Sequence, residues 1–105
     1  MTETTMEWNV AFSPDEVIPR LENLFRQYDH TYTQEDSGAD RHYRTALGQG
    51  TLELVMHPLE PKRSPFSQSI LIQRTLLHMT YKGVSSADQA RFKHQLTMAF
   101  LRVGG

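Results

Sequence analysis

Five histidines, His30, His42, His57, His78 and His94, are the residues of this 105-residue chain best suited to chemistry. An imidazole changes charge near neutral pH, so it can shuttle protons or ligate a metal. Ligand sets that are legible in a sequence have short fixed spacings, such as two histidines one helical turn apart. Here the nearest pair, His30 and His42, is twelve residues apart, and neither H-x-x-x-H nor H-E-x-x-H occurs. A metal site would have to be assembled across strands by His42, His57 and His78, and such an assembly needs correct geometry from several elements at once. Scattered histidines on sheet edges are the plainer reading, and no metal is expected.

The other reactive types are equally sparse. Asp36 and Asp40 flank Ser37-Gly38-Ala39 and read as turn chemistry, because aspartate bonds its own backbone where the chain reverses. Glu53 stands alone in a stretch that alternates like a strand. Ser64, Ser67 and Ser69 lie around prolines, with no G-x-S-x-G nucleophile elbow. Gly48-Gln49-Gly50 lacks the third glycine of a dinucleotide fingerprint and precedes a strand, and no Walker sequence exists. No catalytic residue and no cofactor is therefore expected.

Composition narrows the class further. Eleven Lys and Arg face twelve Asp and Glu, for a net charge of −1, so no global field draws in nucleic acid or an anionic surface. The absence of cysteine removes disulfides and thiol chemistry and favours a reducing compartment. The first residues, Met1 to Glu7, lack the basic and apolar regions of a signal peptide, and no apolar run approaches the roughly 20 residues that span a bilayer. The expectation is one cytoplasmic domain over residues 1–105, with no membrane partner.

The elements that would position these residues are clearer than the chemistry. Met6, Trp8, Val10 and Phe12 alternate as a strand with one buried face. Ser13-Pro14-Asp15-Glu16 then supplies a cap, a proline for the first helical position and a capping-box acid. Val17, Ile18, Leu21, Leu24, Phe25 and Tyr28 continue as a helical stripe. Pro19 predicts a kink or a later start, since a mid-helix proline costs about 3 kcal/mol. Thr31-Tyr32-Thr33 and Arg41 to Leu47 read as a hairpin, and Gly48-Gln49-Gly50 reverses the chain before a strand from Thr51 to His57. Three prolines make Pro58 to Phe66 a surface loop. Ser67 to Tyr81 reads as one long central strand with a bulge near Gln73 and Arg74. Ser86 with Gln89 offers a second capping box. Phe92, Leu96, Ala99, Phe100 and Val103 line the helix that follows, and Gly104-Gly105 stops it.

The predicted fold is α+β, a two-layer sandwich with a strand, a helix, an antiparallel meander of about four strands and a closing helix, both helices on one sheet face. This element order is similar to the one-repeat architecture of the TATA-box-binding-protein-like and helix-grip folds, a likeness of order alone that carries no motif and no function. The tail Leu101-Arg102-Val103-Gly104-Gly105 is similar to the ends of ubiquitin-like modifiers. Those tails follow a strand, whereas this one follows a helix that glycine ordinarily terminates.

If the helices cover one face, alternation leaves Arg44, Glu53, Val55, His57, Arg74 and His78 on the other. With Tyr32 or Tyr43 nearby, that face has the ingredients to clamp an anion or stack a base. Lys62 and Arg63 form a second contact point in the proline loop. The function expected is a non-enzymatic binding or regulatory module acting through the open sheet face or a strand edge, with exposed Trp8, Tyr and Arg as contact candidates, and working as a homodimer. The alternatives are a small-ligand or metal pocket between helices and sheet built on the strand histidines, and single-stranded nucleic-acid binding, which the charge balance does not favour.

Overall fold

A computed structural model describes residues 3–67 and 69–101 of the chain. Val103 and the terminal diglycine lie outside them. In chain order the elements are β1 (Glu3–Val10), α1 (Pro14–Gln27), β2 (Tyr32–Ser37), β3 (Asp40–Leu47), β4 (Gly50–Arg63), β5 (Leu71–Lys82) and α2 (Ser86–Ala99). The strands form one antiparallel sheet in the order β1-β5-β4-β3-β2. The architecture is the expected α+β two-layer sandwich, and its sheet has five strands. β2 to β5 are the meander, and β1 closes it on the far side of β5.

Local chemistry explains most boundaries. Ser13 begins α1, and its backbone N–H donates to the Glu16 carboxylate at 3.3 Å, half of a capping box. The helix runs unbroken through Pro19. Pro19 deprives the Asp15 carbonyl of its partner, but both residues are exposed, so water can satisfy that oxygen. The cap of α2 falls one residue earlier than expected: Ser85, not Ser86, is extended, and its Oγ accepts from the Asp88 backbone N–H at 3.1 Å. Gln89 instead donates to the Val84 carbonyl. Between β3 and β4, Gly48 takes φ +62, and a Cβ at Gly50 would fall 2.3 Å from the Lys82 carbonyl oxygen, so only glycine fits there.

Three expectations need correction. Pro58 to Arg63 is not loop but the continuation of β4 against β5, and the bulge lies on β4 between Leu59 and Lys62, not at Gln73 and Arg74. Prolines are tolerated because β3 ends opposite Met56, so among the described residues no strand lies along the outer side of β4 beyond it. β4 and β5 thus leave the sheet as a two-stranded arm, at whose end the Ser64 N–H donates to the Ile70 carbonyl at 2.9 Å. Likewise β2 extends through Ser37, which leaves Asp36 on a strand and only Gly38-Ala39 in the turn.

Both helices cover the same face. Val17, Leu21, Leu24 and Phe25 of α1 and Phe92 and Leu96 of α2 pack with Tyr43, Leu52, Leu54, Met56, Leu77, Met79 and Tyr81 in one core cluster. Tyr28, expected on the α1 stripe, is its exposed C-terminal cap. Among the described residues no buried side-chain nitrogen or oxygen lacks a hydrogen-bond partner, and no helix is long and apolar enough to cross a membrane.

Candidate functional site

The register gathers the polar residues singled out in the sequence onto the uncovered face. Arg44 of β3 lies opposite Glu53 of β4, and Glu53 opposite Thr80 of β5; His42 faces Val55, which faces His78; His57 faces Leu76, and Leu59 faces Arg74. Side chains alternate along a strand, so all of these stand on one side while Tyr43, Leu54, Met56, Leu77 and Met79 stand on the other.

These charges are mutually paired. The Arg44 guanidinium donates to Glu53 Oε1, and the Lys82 ammonium lies 3.3 Å from Oε2. Those two contacts, Arg44 first, hold the Glu53 carboxyl below the ordinary carboxylate range. His57 Nδ1 is 2.8 Å from Asp40 Oδ2, and His78 Nδ1 is 3.8 Å from Glu7 Oε1. Arg74 donates twice to the Glu60 carbonyl, at 3.2 and 2.9 Å, and so braces the bulge at the root of the arm rather than standing free. A shallow hollow of about 360 Å³ lies over β2 to β4, with His42, Arg44, Glu35 and Glu53 at its wall.

Between the pairs runs an apolar seam that periodicity alone did not mark. Val55, Leu76, Leu59 and Ile72 are successive diagonal neighbours on β4 and β5, each partly buried. It leads to the arm tip, where Phe66 is 95% exposed and Ile70 and Leu71 are more than half exposed. Lys62 and Arg63 sit on the arm as exposed residues.

The histidines do not form one site. His42, His57 and His78 share the open face, away from the space between helices and sheet, which the core side chains fill. Among the described residues no group of three His, Cys, Asp or Glu is placed to hold a metal ion. His30 is structural: its Nε2 is 2.9 Å from Gln95 Oε1, and its ring packs against Phe25 and Phe92.

The aromatics expected beside Arg44 are on the wrong side. Tyr43 is buried on the covered face, where burial pushes its hydroxyl up to about 12 while it donates to Glu22 Oε2 at 3.0 Å. Tyr32 stacks on Phe25 with ring centroids 4.9 Å apart. Trp8, also expected exposed, is half-buried on the covered side against Phe100. The open face therefore offers imidazoles, ion pairs and aliphatic carbon, with none of these three rings to stack a base.

The sheet's two outer strands differ as well. β2 carries Asp36 on the helix side, bound to Arg41 at 2.9 Å, an inward-pointing charge of the kind that blunts a strand edge. β1 presents only Thr4, Met6, Trp8 and Val10 on that side, and a groove of about 310 Å³ runs between it and α2. No protein-family model, curated protein or solved structure matches this chain.

Proposed function

We propose that this protein is a non-enzymatic binding module that works through its uncovered sheet face, as a homodimer. The apolar seam of Val55, Leu76, Leu59 and Ile72, bordered by the Arg44–Glu53 ion pair and the His57–Asp40 contact, carries that reading. Protein interfaces have this anatomy, with aliphatic carbon at the centre and a polar rim. The rim holds both signs: Arg44, Arg74 and Lys82 against Glu7, Asp40 and Glu53. A two-fold pairing places the same patch on both sides, so a patch that mixes signs can complement itself. Two sheets stacked this way sit about 10 Å apart, close enough for the seams to interdigitate.

The test is a mass measurement by light scattering across a concentration series reaching the high micromolar range. The wild-type chain is expected at twice its 12.1 kDa. Val55→Asp combined with Leu76→Asp should halve that mass and leave the far-ultraviolet circular dichroism unchanged. A wild-type monomer throughout, or a dimer indifferent to the double substitution, overturns the reading.

A further inference from the structure

We propose that the outer edge of β1 and the groove beside it receive an extended segment of another polypeptide, with apolar side chains at alternate positions and an acidic residue among them. This site is separate from the open face and does not depend on it.

The edge comes first. β1 pairs with β5 in an unbroken eight-residue register, Glu3 opposite Lys82 through Val10 opposite Thr75, and among the described residues no strand flanks its other side. Alternate backbone groups along that side are therefore available to a further strand. The devices that blunt edges include charged side chains, lysine above all, proline, a bulge or an inward charge. β1 carries Glu3 and Glu7, both turned to the open face, but no lysine, proline, bulge or inward charge, whereas β2 has Asp36 pointing inward.

The groove supplies specificity. Met6, Trp8, Met79, Tyr81 and Leu96 make it apolar, and Lys93 of α2 stands at its margin; Glu7 also borders it, but its carboxylate is turned to the open face, 3.8 Å from His78 Nδ1. Strand addition draws affinity from main-chain hydrogen bonds and selectivity from pockets that take every second side chain. A strand laid against β1 would direct alternate residues to the helix side, where the groove lies.

Charge decides between occupants. Lys93 is exposed and forms no ion pair among the described residues. A second copy pairing along its own β1 would present only Thr4, Met6, Trp8 and Val10 on that side, with no acid to meet the ammonium. A foreign segment carrying a carboxylate does meet it.

Trp8 is the chain's single tryptophan and lines the groove, so its emission reports directly on occupancy. The probe is a capped heptapeptide in which leucine, glutamate and leucine alternate with threonine. Expected is a saturable blue shift of Trp8 emission, lost when the peptide backbone is N-methylated at alternate residues. Replacing its glutamate by lysine should weaken binding about fivefold, the scale of one exposed ion pair. Lys93→Glu should reverse that order. The same titration on the Val55→Asp, Leu76→Asp chain should be unchanged, which separates this site from the open face. No saturable change into the millimolar range, equal binding of the N-methylated peptide, or a peptide preference unmoved by Lys93→Glu overturns the proposal. Emission that shifts with protein concentration alone assigns the edge to a second copy and overturns it too.

Discussion

The two faces of the sheet are made from the same strands, one residue out of step, and they carry different burdens. On the covered face Tyr43, Leu54, Leu77 and Met79 are almost wholly withdrawn from water. Their immediate neighbours Arg44, Val55, Leu76 and His78 keep part of their surface in water, Arg44 most of it, and are held by the Arg44–Glu53 ion pair, the His78–Glu7 contact and one aliphatic seam. Stability is therefore concentrated on one side, and the other is free to vary in chemistry without unfolding the chain. Paired substitutions measure that division. Phe25 is fully buried and touches Tyr32 and Tyr43, so Phe25→Ala should cost about 3–5 kcal/mol, a large share of the roughly 5–15 kcal/mol that holds a small domain together. Val55→Ala on the open face should cost about 1 kcal/mol or less. Urea midpoints give both values, and equal losses would break the comparison.

A polar residue on the covered face sharpens it. Thr75 is fully buried, and its Oγ1 donates to the Phe12 carbonyl at 2.7 Å, which ties the end of β1 to β5. Thr75→Val keeps the shape and removes the donor, so it should cost about 1–3 kcal/mol. Thr80→Val, on the same strand but the open face, removes no side-chain hydrogen bond among the described residues and should be close to neutral. A difference in thermal midpoint of several degrees between the two is expected. If they match, the buried hydroxyl contributes no more than an exposed one.

Much of this division was legible in the residues. The alternation of Leu52, Leu54 and Met56 with Glu53, Val55 and His57 fixed which face each residue joins, and the two helical stripes showed which face would be covered. The same parity turns Tyr43 and Arg44 to opposite faces, so the burial of Tyr43 is readable from adjacent positions. The arm was not legible. Pro58, Pro61 and Pro65 forbid strand only where a neighbour needs their N–H, and whether β3 reaches that far depends on the length of another strand. The pairing of Arg74 with the Glu60 carbonyl follows from the bulge, which no local pattern encodes. The bare edge of β1 likewise required the sheet order, since a sequence shows a strand but not who lies beside it.

The smallest effect is the one that tests whether the open face contributes anything to the fold. Glu53 holds Arg44 and Lys82 together, and its folded-state pKa lies below the ordinary 4.5. A carboxylate depressed in this way adds stability that is fully present above 4.5 and is lost as the pH falls through the lowered folded value. Glu53 is only partly shielded and Arg44 is mostly exposed, so solvent screens the network and its worth is at most about 1 kcal/mol. Glu53→Gln should therefore lower the thermal midpoint by a few degrees at pH 7. The gap should close as the wild-type carboxylate is protonated in acid, and high salt should narrow it at neutral pH. A deficit that persists undiminished at low pH would mean that the side chain matters by its packing, and the open face would then share the structural burden assigned here to the covered one.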